Sequence, residues 1–166
     1  MIPTAVYSIL NWVAALLLDL GIYPVFLALL LLGKPTMIKA IATLSDQGVE
    51  MRIVLFYFIM PMASMLYSNR SLLAQTETPA EIIGEKGSIR ILHPWFEKTA
   101  GLEVHLFNDG KIVYPCQWSG HGLQFEAEEA LQCIGNHKIA SDSMPHYFSK
   151  MIMTVMDEIR EQVHVT

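Results

Sequence analysis

The chain has 166 residues, of which 52% are hydrophobic and only 16% charged, with a formal net charge of -5. That length is enough for one domain with a real core, and so few charges leave more apolar surface than an average soluble domain carries. Basic residues scattered through an acidic chain exclude an electrostatic footprint for nucleic acid, and two cysteines without ligand spacing, Cys116 and Cys133, exclude a disulfide scaffold and fit a reducing cytoplasm.

From Ile2 to Leu32 the single charged residue is Asp19. No basic stretch precedes this apolar run and no small-residue cleavage site follows it, so a secretory leader is not expected. The run is long enough to be read in two ways. It is either a buried helix or, over residues 5–32, a membrane span with the rest of the chain as a cytosolic interaction domain; a central aspartate would cost such a span about 2.5–3.5 kcal/mol on insertion scales. Pro24 removes a backbone donor and predicts a kink or restart just after Tyr23, and Gly33 and Pro35 stop the segment.

Residues 37–44 alternate in the manner of a strand, and 49–58 continue with β-branched and aromatic residues. Together with the short run ASMLYS after Pro61, they predict two strands joined near Met60 and Pro61. Further along, AEIIG and SIRIL flank the turn Gly84-Glu85-Lys86-Gly87, and LEVHLF and KIVYP flank Asn108-Asp109-Gly110, so both pairs read as hairpins. The last third changes period. Ala127, Ala130, Leu131 and Ile134 recur at helical spacing, as do Phe148, Met151, Ile152, Val155, Met156 and Ile159 after Pro145. The expected fold is therefore α+β, an open and mostly antiparallel sheet of about six strands, an N-terminal apolar helix and two C-terminal amphipathic helices covering one face.

Few residues offer chemistry. Asp19 and Tyr23, four apart, would project from one face of a helix, where a phenol beside a carboxylate can exchange a proton with a carbonyl or alkoxide oxygen if a cation lowers its pKa. Taken alone, the pair reads more readily as a local cap or ion pair and a core tyrosine with a satisfied hydroxyl. The six histidines show no metal-ligand spacing, so no metal is expected. Gly120-His121-Gly122 lacks the third glycine of a dinucleotide fingerprint, and the turn at Gly84–Gly87 opens no helix. Trp95 and Phe96, directly after a strand, could line an apolar substrate pocket or simply fill core.

Four stretches, ALLLDLGIYPVFLALLLLGKPT, AEIIGEKGSIRI, GLQFEAEEALQCI and IMTVMDEIREQ, occur in an order and at a spacing that resembles the C-terminal domain of the Gfo/Idh/MocA oxidoreductases, in particular the dihydrodiol dehydrogenase and glucose-fructose oxidoreductase-like group. The likeness divides the chain into a divergent segment, 1–13, and a domain, 14–166. It implies an enzyme whose N-terminal Rossmann domain binds NADP or NAD, followed by a domain that shapes the substrate site and commonly mediates oligomerisation; only the second of these corresponds to the present sequence.

By this resemblance, Asp19-Leu20-Gly21-Ile22-Tyr23 matches an Asp-x-Gly-x-His/Tyr motif. Tyr23 then carries over as proton donor or acceptor and Asp19 as its orienting, substrate-contacting neighbour, while the required cation is a lysine of the Rossmann domain; Trp95 and Phe96 stay as substrate-contact candidates on their own pattern. Lys86, in Glu85-Lys86-Gly87, sits in a strand-turn-strand motif and is not that lysine. The sequence differs from the family's usual pattern at Asn11–Ala14, at Ile59-Met60-Pro61 and in the order Trp95-Phe96. The expected partners are a small hydroxyl or carbonyl substrate and a second copy of the chain through the open sheet face, with no tight nicotinamide binding by this chain alone and no activity without a cofactor domain. A non-catalytic dimerisation module on the same fold is the remaining alternative.

Overall fold

The computed structural model describes residues 17–44, 51–60, 65–71 and 79–163. The divergent segment 1–13 lies outside them. The described elements fall into two compact units, one comprising residues 1–75 and 144–166 and the other residues 76–143.

The first unit opens with a single π-helical turn, Leu17–Gly21, that runs directly into helix α1, Ile22–Leu32. The change of helix type falls two residues before the restart expected just after Tyr23. Pro24 falls in the first turn of α1, where backbone N–H groups have no intrahelical acceptor, so its missing donor costs nothing. Gly33 ends the helix at φ 79°, its N–H returning to the Leu29 carbonyl at 3.1 Å. No helix among the described residues is long and apolar enough to cross a membrane, and residues 5–16 of the alternative span 5–32 lie outside the described residues.

Strands β1 (Met37–Leu44), β2 (Met51–Ile59) and β3 (Met65–Ser71) follow as an antiparallel meander in the order β1-β2-β3. Side chains alternate across a sheet, and on one face Ile38 pairs with Phe58 and Ala40 with Phe56. Phe56 and Phe58 stack at 5.2 Å and are fully shielded. Against this face packs the last helix, α3 (His146–Val163), which buries Phe148, Ile152, Val155, Met156, Ile159 and Val163 at helical spacing. Val25, Ala28 and Leu29 of α1 complete the core. Each such side chain contributes about 1.5–3 kcal/mol of burial. The other face of the sheet, with Met37, Ile41 and Ile59, is exposed.

The second unit is a four-stranded antiparallel meander, β4 (Ala80–Gly84), β5 (Gly87–Ile91), β6 (Gly101–Leu106) and β7 (Gly110–Pro115), followed by α2 (Leu123–Gly135). Gly87 is required by contact: a Cβ there would lie 2.2 Å from the His105 carbonyl oxygen on the neighbouring strand. Both hairpins form as expected, although the second uses three loop residues, since Leu106 pairs with Gly110 and the glycine takes φ 86°.

The α+β class is borne out: the described residues form three α-helices and seven antiparallel strands, and these strands divide between two sheets where the sequence predicted about six in one. Alternation identifies a strand without identifying its neighbour, so β3 and β4, adjacent in the chain, are not paired. Helix α2 also differs from expectation. It forms where predicted, yet none of its residues is buried, and Leu131 and Ile134 are 68% and 70% exposed.

Candidate active site

The segment Leu17–Leu32 has two faces. Leu17, Gly21, Pro24, Val25, Ala28 and Leu29 are buried, whereas Asp19, Tyr23, Phe26 and Leu30 are exposed, a stripe at intervals of four, three and four residues. Asp19 and Tyr23 therefore lie on one solvent-facing side of a segment whose other side is fixed in the core. Gly21, between them in sequence, closes the π turn; a Cβ on it would come within 2.8 Å of the Leu17 Cδ1, so its absence lets Leu17 fold under the turn.

Tyr23 is 37% exposed, so part of the residue is covered and part is open to solvent. Along the stripe, Phe26 packs edge-on against Phe148 of α3, with ring centroids 5.7 Å apart, so α3 steadies the same face. Phe148 was read from sequence only as part of a helix's apolar face and Phe26 not at all, although continuation of the Asp19–Tyr23 spacing by one further turn points to Phe26. The segment Leu17–Leu32 supplies no cation, so any charge that would lower the phenol's pKa must come from elsewhere.

The other predicted pair lies in the second unit. Trp95 and Phe96 are the central residues of a turn closed by the Glu97 N–H donating to the Pro94 carbonyl at 3.2 Å, and their rings meet edge to face at 5.7 Å. The turn's far end is held by Thr99, whose buried hydroxyl lies 2.7 Å from the Leu92 carbonyl oxygen as its donor and accepts the Gly101 N–H at 3.2 Å. Both aromatic rings are half-buried. The two pairs thus occupy separate units.

A second concave feature belongs to the sheet of the second unit. The register aligns Ile82, Ile89, Val104 and Ile112 in one row across four strands, and Ala80, Ile91, Leu102 and Tyr114 in the next row on that face. A cavity of about 460 Å³ opens on this face between Ile82, Ile89, Val104 and Leu106. The opposite face carries Glu81, Arg90 and Glu103, the last paired with Lys111 at 2.6 Å.

The glycines before α2 do not fit the pyrophosphate of a dinucleotide. A phosphate needs the backbone N–H groups of such a loop free, but Gln124 turns back into it: its Oε1 accepts the Gly122 N–H at 2.9 Å and its Nε2 donates to the Ser119 carbonyl at 2.6 Å. Glu126 in the first turn of α2 adds a charge of the wrong sign. Among the described residues there is also no cluster of three His, Cys, Asp or Glu side chains that would hold a metal ion.

Comparison with known proteins bears out the resemblance drawn from the four motifs. No family model matches the chain. It is 30% identical over 178 residues to trans-1,2-dihydrobenzene-1,2-diol dehydrogenase of Danio rerio, an alignment that takes in 99% of this chain and 50% of the relative. To scyllo-inositol 2-dehydrogenase (NADP(+)) IolU of Bacillus subtilis it is 28% identical over 154 residues, covering 90% of this chain and 44% of that enzyme. In fold it is similar to aldose-aldose oxidoreductase of Caulobacter crescentus, with a TM-score of 0.67 at 19% identity over 88% of this chain and 45% of that one. The chain spans about half the length of the curated relatives it matches.

Proposed function

We propose that this chain, similar over nearly its whole length to about half of a Gfo/Idh/MocA oxidoreductase, is the C-terminal, substrate-binding half of an NAD(P)-dependent oxidoreductase acting on a diol, a sugar or a related hydroxyl or carbonyl compound. The observation that carries this reading is the stripe on which Asp19 and Tyr23 stand, the one polar place on an otherwise apolar segment, in the spacing of the family's Asp-x-Gly-x-Tyr motif.

In this reading the Tyr23 hydroxyl takes the proton from the substrate's alcohol, or returns it to the carbonyl, and Asp19 orients the reacting hydroxyl. The backbone that carries the phenol is fixed by the buried Leu17, Gly21, Pro24 and Val25, and such positioning is what proton transfer over hydrogen-bond distance requires. Trp95 and Phe96 offer apolar contact to the substrate's carbon skeleton. A nicotinamide would supply the hydride acceptor, and it and the lysine that the family motif sets beside the phenol would belong to a cofactor domain such as the other half of each relative's length would accommodate. The apolar row Ile82, Ile89, Val104 and Ile112 suits burial against a second copy of the chain, and the free thiols Cys116 and Cys133 suit a reducing compartment such as the cytoplasm.

Titrating the isotopically labelled chain with scyllo-inositol and with trans-1,2-dihydrobenzene-1,2-diol tests the assignment. Amide shifts centred on Leu18–Tyr23 are expected, and calorimetry with NADP(H) should give no tight binding to this chain alone. Shifts confined to other elements, or tight cofactor binding, would reverse the reading.

A further inference from the structure

Among the described residues β1 is an outer strand of its sheet, with β2 as its one strand neighbour. The N–H and C=O groups on the free side of such a strand are a template for pairing with another chain. At the middle of β1 that template is filled. The Ala40 N–H donates to Gln162 Oε1 at 3.0 Å, and Gln162 Nε2 donates to the Ile38 carbonyl at 3.0 Å. In a parallel pair, one residue of the neighbouring strand supplies an N–H and a C=O to the two groups flanking a residue, and a primary amide carries the same donor and acceptor side by side.

We propose that Gln162 acts as a one-residue surrogate strand that closes the β1 edge against pairing with a strand of another chain. Its position is set by the helix that carries it, because Val155, Ile159 and Val163 on the inner face of α3 are held in the core. Lys39 on β1 and Glu158 and Glu161 on α3 rim the polar hollow around the amide, and an incoming strand would have to displace or desolvate these charges. Edge protection of this kind leaves the exposed apolar faces free to be covered while keeping the sheet from growing sideways.

The test is amide hydrogen exchange and sedimentation on the full chain. In Gln162→Ala, exchange at Ala40 should quicken about five- to tenfold, as expected for one lost hydrogen bond, and the protein should associate as concentration rises. Gln162→Glu keeps an acceptor for the Ala40 N–H and adds charge at the edge, so it should retain slow exchange at Ala40 and stay unassociated relative to Gln162→Ala. Unchanged Ala40 exchange in Gln162→Ala with helix content intact would overturn the proposal, as would faster exchange with no added association. If Gln162→Ala does not fold, Gln162→Glu decides alone: slow Ala40 exchange supports the surrogate strand, and fast exchange overturns it.

Discussion

Among the described residues, the shielded apolar side chains all belong to the unit of α1, β1–β3 and α3, whereas the unit of β4–β7 and α2 shields only Thr99 and Gly101. Both units contain antiparallel meanders with alternating apolar positions, so strand content does not separate them. Cover does. Two helices close over Phe56 and Phe58 in the first, while in the second the row Ile82, Ile89, Val104 and Ile112 has no helix of its own unit buried against it. A sheet face of that composition is stabilised when something removes it from water, so the second unit has less of its own buried apolar surface to hold it folded than the first.

The contrast can be broken most forcefully at its strong side. Phe56→Ala should lower unfolding free energy by about 3–5 kcal/mol, read from the urea midpoint, because the ring is enclosed and its loss leaves a cavity. Ile83→Ala, at a site 73% exposed in the second unit, should move the midpoint by less than about 0.5 kcal/mol. Comparable losses from both variants would erase the distinction between the units.

Gly87→Ala is the corresponding test of the second unit. Its methyl group would collide with the His105 carbonyl, so β5 and β6 must separate, at an expected cost of about 1–3 kcal/mol. Limited proteolysis should then cut within residues 79–143 while the helices α1 and α3 stay protected; cleavage spread evenly over the chain would mean that the units unfold together.

The smallest expected effect is chemical. Partial burial first, and the Glu129 carboxylate 3.8 Å away second, hold the Cys133 thiol above its usual pKa, so less thiolate exists at any given pH. The same carboxylate accepts a hydrogen bond from the Ser141 hydroxyl at 2.5 Å, which ties α2 to the loop after it. Glu129→Gln removes the negative charge, should bring the thiol's pKa down, and should therefore speed alkylation of Cys133 at pH 8 several-fold. An unchanged rate would show that burial alone protects it.

Much of this architecture was legible because local rules fixed it. The alternation in MIKAIATL set β1 to residues 37–44, and Pro145 followed by apolar spacing set the start and inner face of α3. That Asp19 and Tyr23 share one face was legible from their spacing; that this face is exposed and continues through Phe26 and Leu30 was not. What escaped depends on partners distant in sequence. Nothing in the strand pattern says that β3 and β4 do not pair, and the spacing of Leu131 and Ile134 reveals an apolar face of α2 without saying what covers it. The π turn was hidden because the extra residue in Leu17–Gly21 leaves no compositional mark. Gln162 was hidden because a glutamine near a helix end reads as a solvated residue until β1 is seen beside it.

The central claim is that Tyr23 is the proton-transfer group of an oxidoreductase's substrate half. It is tested most directly by joining this chain to the complementary half of the Bacillus subtilis scyllo-inositol 2-dehydrogenase and measuring NADP-dependent oxidation of scyllo-inositol with Tyr23 and with Tyr23→Phe. The account predicts turnover by the parent chimera and a fall of about 10²–10⁴-fold on removing the hydroxyl, with NADP affinity unchanged. A chimera that folds, binds NADP and oxidises the substrate equally well with phenylalanine at position 23 would contradict it.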